Sequence, residues 1–159
     1  MTIKRNFAIL ILILAVVVSG CNRGQKLITA AGGGNLETVD LLLEQGSPVN
    51  ATDKQQKTPL LAAAAGGHLK VVTRLVQAGA EVDWQDAGGQ TALMLAAQNG
   101  HLEVVKYLVK QKAKLNIKDK TGKDALEWAL VNGETEVKKY LQQKQDYRNQ
   151  LGRLLIWAV

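Results

Sequence analysis

Two histidines, three evenly spaced aspartates and a single cysteine are the residues of this chain best suited to chemistry. His68 and His101 could hold a metal or move a proton, but a metal site needs three or four converging ligands. The two stand 33 residues apart at matching places of a repeated pattern, which gives them a structural part in a turn. Asp53, Asp86 and Asp119 could supply paired carboxylates, a chemistry that needs them roughly 5 to 10 Å apart. They too recur every 33 residues, each opening a turn, so one shared structural task accounts for all three. Gly32-Gly33-Gly34 lacks the Gly-Lys-Ser/Thr of a phosphate loop and reads as a helix stop. Lys120-Thr121-Gly122 copies one β-lactamase signature without the Ser-x-x-Lys that must accompany it. No catalytic residue, cofactor or metal is expected, and the chain is expected not to be an enzyme.

What positions these residues is a period. Gly34, Gly67, Gly100 and Gly133 are spaced by 33, as are Leu27, Leu60, Leu93 and Leu126. Ala30, Ala63, Ala96 and Ala129 keep the same interval, and so do Leu42, Leu75, Leu108 and Leu141. Such self-similarity is the mark of a repeat architecture. Within a unit the pattern predicts a turn, a short helix, a turn, a longer helix and a loop. In the third unit Thr91 is a candidate N-cap, Gly100 stops the first helix, and Leu102, Val105, Leu108 and Val109 fall on one helical face. Helices this short are marginal alone in water, so stability must come from stacking on neighbouring units.

The units resemble ankyrin repeats. The second, "DKQQKTPLLAAAAGGHLKVVTRLVQAGAEVD", carries Thr58-Pro59-Leu60, Gly67-His68-Leu69 and Gly79-Ala80 at the family positions. Leu61 and Met94 replace the histidine of the Thr-Pro-Leu-His motif. The resemblance covers about residues 25 to 141, as four repeats near 25–52, 53–85, 86–118 and 119–141. It implies an all-α solenoid of stacked helix-turn-helix units with short β-turn fingers. The first unit has Gln25-Lys26 for Thr-Pro, and the fourth has Asp124-Ala125 and then Lys138 at a usually apolar place. Terminal repeats must face water on one side. Lys112 occupies the loop-glycine position of the third unit, a site that favours positive φ.

The cysteine belongs to a different pattern. Lys4 and Arg5 precede twelve uncharged apolar residues, 7–18, and then Ser19, Gly20 and Cys21. A positive n-region, a short apolar h-region and small residues at a cleavage site make a secretory signal. The run is shorter than the roughly 20 residues of a spanning helix. Val18-Ser19-Gly20-Cys21 resembles the lipobox of bacterial lipoprotein precursors. That resemblance implies a signal peptide over 1–20, cleavage before Cys21, acylation of Cys21, and residues 21–24 as the lipidated cysteine and a short tether. Asn22 after the cysteine implies the periplasmic face of the outer membrane, with the inner membrane as the alternative address.

A single cysteine excludes an internal disulfide. The formal charge is +6, falling to +4 once Lys4 and Arg5 are removed, and an exported protein meets little nucleic acid, so no nucleic-acid partner is expected. Residues 22–105 hold 6 basic and 8 acidic residues, whereas residues 106–159 hold 12 and 6. The basic half suits an acidic protein surface or anionic headgroups, or is simply a solvated face.

In the ankyrin family, turn tips and the exposed side of the first helix of each repeat contact partners. Here these positions are Lys54, Gln55, Lys57, Gln85, Ala87, Gln90, Lys118, Lys120 and Lys123, with Gln98, Asn99 and Asn132 on the helical side. Trp84 is the candidate anchor, since exposed tryptophan is common at interfaces; local packing over the neighbouring turn is its other reading. Trp128 reads as core. Residues 142–159 form a C-terminal helical extension or a cap folded back over the fourth repeat, or dock on a partner or on the lipid surface, their apolar end being too short to cross a membrane. The function expected is a membrane-anchored periplasmic protein-binding module. An immunity protein or inhibitor acting on an envelope toxin or enzyme, and a scaffold for a periplasmic stress enzyme, are the alternatives.

Overall fold

A computed structural model describes residues 23–156, with side chains described as far as Leu151. Cys21 and the predicted signal peptide lie outside the described residues. Eight helices form four antiparallel pairs: α1 (residues 23–32) with α2 (Leu36–Glu44), α3 (Pro59–Ala65) with α4 (Leu69–Gln77), α5 (Ala92–Gln98) with α6 (Leu102–Lys110), and α7 (Ala125–Val131) with α8 (Thr135–Ile156). The described residues contain no strand. The chain is the all-α solenoid that the period predicts.

The inner helices α3, α5 and α7 each begin where a side chain takes up an unpaired backbone N–H. Thr58 accepts from Leu61 N at 3.3 Å and Thr91 from Met94 N at 3.3 Å. In the fourth pair Asp124 accepts from Glu127 N at 2.9 Å, while the Glu127 carboxylate accepts from Asp124 N at 2.8 Å. That reciprocal capping box does the work of the missing threonine. Pro59, at the first position of α3, costs nothing there, because its absent N–H would have no helical partner.

Alanine sets the spacing of the stack. Ala63, Ala64, Ala96 and Ala97 are fully buried where α3, α5 and α7 meet, and their small side chains let those helices approach closely. Val72, Leu75, Val105 and Leu108 fill the outer layer. Truncating such a leucine to alanine typically costs about 2–5 kcal/mol. The same register explains the last repeat. Lys138 stands where Val72 and Val105 are buried, yet it is exposed. Leu130, at the place of Ala64 and Ala97, is 55% exposed. Both positions face the next repeat, and after the fourth there is none among the described residues.

A histidine clasp joins consecutive pairs. His68 Nε2 lies 2.9 Å from the Gly32 carbonyl, and His101 Nε2 lies 3.0 Å from that of Ala65. Each ring covers the turn glycine of the preceding repeat: a Cβ on Gly67, whose φ is +74°, would stand 2.5 Å from His101 Nδ1. Any side chain there would meet both the left-handed backbone and the ring. The histidines are thus structural, as the period implies. Glu134 holds the corresponding place in the last repeat, against Gly100.

One expectation changes, and one of the alternatives is met. Residues 23 and 24 are helical rather than tether. Arg23 Nη1 donates to the Gln45 carbonyl at 2.7 Å, and Gly24 packs against Ala51, so both belong to the first repeat. At the other end the chain does not fold back within the described residues. Instead α8 runs unbroken for 22 residues, through Ile156. Lys112 adopts φ 65°, close to the 77° of Gly46 and 92° of Gly79. The loop therefore keeps its glycine-type geometry despite the lysine.

Candidate interaction surface

The fingers are built on their aspartates. Asp53 Oδ1 accepts from Gln55 N at 2.8 Å and Lys57 N at 2.9 Å. Asp86 Oδ1 takes the same bonds from Gly88 N and Gln90 N, at 2.8 and 2.9 Å. Asp119 accepts from Thr121 N, Thr121 Oγ1 and Lys123 N through Oδ1, and from the Trp128 indole through Oδ2 at 2.9 Å. Burial of Asp119 opposes its ionisation. The Thr121 hydroxyl, the Lys123 N–H, the Trp128 indole and the Thr121 N–H outweigh that and hold its pKa below the ordinary value. Neighbouring tips are joined through Ala87 N to Gln55 O at 2.8 Å and Lys120 N to Gly88 O at 3.0 Å. The carboxylates act as turn organisers rather than as an acid–base pair.

Many of the polar residues expected to face a partner also bond within the chain. Gln85 Nε2 donates to the Gly89 carbonyl at 2.8 Å. Lys118, its counterpart one repeat on, donates to Gly122 O at 3.0 Å and pairs with Glu127 at 3.0 Å. The bond to Glu127 raises the Lys118 pKa, and bonds from Asp124 N and Lys118 lower that of Glu127. Asn99 and Asn132 donate to the Ala65 and Gln98 carbonyls, at 3.2 and 3.1 Å, and so help join repeats. Gln90 reaches Gln98 at 3.4 Å. Lys54, Gln55, Ala87 and Lys120 sit exposed at the tips, whereas Lys57 and Lys123 are half-buried. Lys123 Nζ stands 4.8 Å from the centre of the Trp128 ring.

Both tryptophans are half-buried and pack against the core. Trp84 donates its indole N–H to the Gln56 carbonyl at 2.8 Å. The indole is fastened over the neighbouring turn, which is the packing given above as its other reading. Trp128 is not wholly core. Its bonds to Asp119 and Lys123 place it in the angle between α7 and the fourth finger.

Leu95 and Trp128 hold the same place on α5 and α7 and pack against the core, and the sequence positions around them change along the stack. Leu95 occupies the equivalent place one repeat earlier and is half-buried; Val131, one turn on from Trp128, is 62% exposed. The 33-residue register carries a readable signal for this change. Positions 62, 95 and 128 run Ala, Leu, Trp, and positions 65, 98 and 131 run Ala, Gln, Val. The first of these columns grows larger towards the C-terminal end, and the second ends on an apolar residue. Leu95 and Val131 escape a reading from fingertips alone because both look like ordinary helix core in a single unit.

The described residues contain no group of three or more potential metal ligands, and no described helix is long and apolar enough to cross a membrane. No curated protein matches the chain significantly. A family model described as ankyrin repeats (3 copies) matches residues 4–86 and again residues 68–150. With the helix pairs, histidine clasps and zipped fingers in the same register, the chain belongs to the ankyrin-repeat family, whose repeats serve as protein-interaction scaffolds.

Proposed function

We propose that this chain is a protein-binding module held at a bacterial membrane by lipid on Cys21, and that its recognition face is the C-terminal half of the concave side. The observation that carries the reading is the patch of Leu95, Trp128 and Val131, bordered by Gln98 and by the basic fourth finger. A large apolar centre with a polar, charged rim is the anatomy of an interface rather than of a solvated surface. The tips and inner helices are already fixed by internal bonds, so little ordering is needed on binding, and a pre-formed surface lowers the cost of association.

The partner is a folded protein surface with an apolar projection and acidic flanks, matching Lys118, Lys120 and Lys123. Affinity capture from membranes tests this. Wild-type protein and a Gln142→Arg control on α8 should retain the same partner, while Val131→Arg should lose it. Both substituted sites are exposed, so stability should stay within about 0.5 kcal/mol. Equal capture by all three would remove the concave patch from consideration.

The anchor rests on the sequence around Cys21. Labelled palmitate should enter the wild type and not Cys21→Ala. With residues 23 and 24 inside α1, only Asn22 separates the lipidated residue from the folded repeats, which holds the first repeat against the bilayer.

A further inference from the structure

We propose that the overlong last helix, together with α6, forms a second and separate contact surface that lies on the anionic phospholipid headgroups of a bilayer. The other outer helices, α2, α4 and α6, have nine residues each, whereas α8 has 22. Its second half continues past the stack. There the chain spends length that no packing within the repeats requires.

One face of this helix is distinctive. Tyr140, Lys144, Tyr147, Arg148 and Leu151 recur at helical spacing and border a groove shared with α6. Tyr147 is 60% exposed and Leu151 42% exposed. From α6 come Lys106 and Lys110, both exposed. Four cations thus surround two tyrosines and a leucine. The nearby acids leave this balance positive: Glu103 pairs with Lys106 at 2.8 Å, and Asp146 accepts from Gln142 at 3.2 Å. Beyond Leu151 the sequence reads Gly-Arg-Leu-Leu-Ile-Trp-Ala-Val, which extends the apolar and aromatic character.

A cationic helix with exposed tyrosine and leucine is suited to lie in the plane of a membrane interface. Tyrosine and tryptophan rings settle at headgroup depth. Each lysine or arginine near an anionic leaflet adds about 1 kcal/mol of attraction. An acidic protein would satisfy the charges but not the apolar end of the helix, and the bilayer satisfies both.

The proposal does not depend on acylation, and its test uses the full chain carrying Cys21→Ser. Vesicles of phosphatidylcholine alone are compared with vesicles containing phosphatidylglycerol, by cosedimentation. The expected result is at least tenfold stronger binding to the anionic vesicles, weakening as salt is raised. Lys144→Glu with Arg148→Glu should remove that preference, and Tyr147→Ser with Leu151→Ser should reduce it severalfold. Equal binding to both vesicle types overturns the proposal, as does a preference that survives the charge reversals. Loss on charge reversal with no effect of the Tyr147 and Leu151 changes also overturns it, and points to an acidic protein instead. All four side chains are described, and none lies in the buried core, so circular dichroism of the variants should match the parent.

Discussion

His101 Nε2 lies 3.0 Å from the Ala65 carbonyl oxygen, and Asn99 Nδ2 shares that acceptor at 3.2 Å. One repeat earlier His68 reaches Gly32 O at 2.9 Å, but Gly66 stands where Asn99 would be. The two clasps are therefore unequal. Removing a partner from a buried polar group typically costs about 1–3 kcal/mol. His68→Ala should fall in that range, and His101→Ala should cost less, because the Asn99 amide still satisfies Ala65. Urea unfolding of the two variants decides it; an equal or reversed order would show that the clasps work through ring packing alone.

Lys112 holds a left-handed backbone that Gly46 and Gly79 hold elsewhere. A residue with a Cβ pays roughly 1–2 kcal/mol in this region, partly offset by the roughly 0.5–1 kcal/mol that glycine loses in chain freedom. Lys112→Gly should stabilise the fold by up to about 1 kcal/mol, and Lys112→Val should destabilise it. Thermal melts of both variants check the pair of signs.

Ser47 is buried at the position held by Ala80 and Ala113 in the next two repeats. Its hydroxyl has no hydrogen-bond partner among the described residues. Ser47→Ala removes a desolvated polar atom without opening space, and should raise stability by about 1 kcal/mol. A drop in melting temperature would reveal a partner for that hydroxyl.

Asp119 links finger stability to pH. Its folded pKa lies below the ordinary carboxylate value, so the unfolded chain takes up its proton first on acidification. The stabilisation is complete above the unfolded pKa, near 4, and is lost as pH falls through the lower folded value. Asp119→Asn keeps one acceptor oxygen but sets an amide against the Trp128 indole N–H. It should cost about 1–3 kcal/mol at pH 7, and the gap from wild type should shrink below about pH 4. A gap independent of pH would mean the charge contributes nothing.

Much of this fold is legible in the sequence because the 33-residue register repeats its constraints. Capping threonines, turn glycines, clasp histidines and finger aspartates each occur at least twice, so one unit interprets the next. The less legible features lie where a residue departs from its column. The sequence leaves two readings of Trp84, and its bond to the Gln56 carbonyl is not visible there. Val131 looks like core until its 62% exposure is seen. The ends resist for a related reason. The register does not predict that residues 23 and 24 join α1, since they precede its first repeated position, and beyond Leu141 it does not choose between a helical extension and a cap.

The central claim is recognition through the concave C-terminal patch, and site-specific photocrosslinking in intact cells tests it most directly. A photoreactive side chain at Gln98 or Val131 should yield one dominant protein adduct, suppressed by Trp128→Ala in the same chain. The same probe at Gln142, on the outer helix, should not form that adduct. If Gln142 captures the protein and the concave positions do not, recognition runs through the opposite face and the account is wrong.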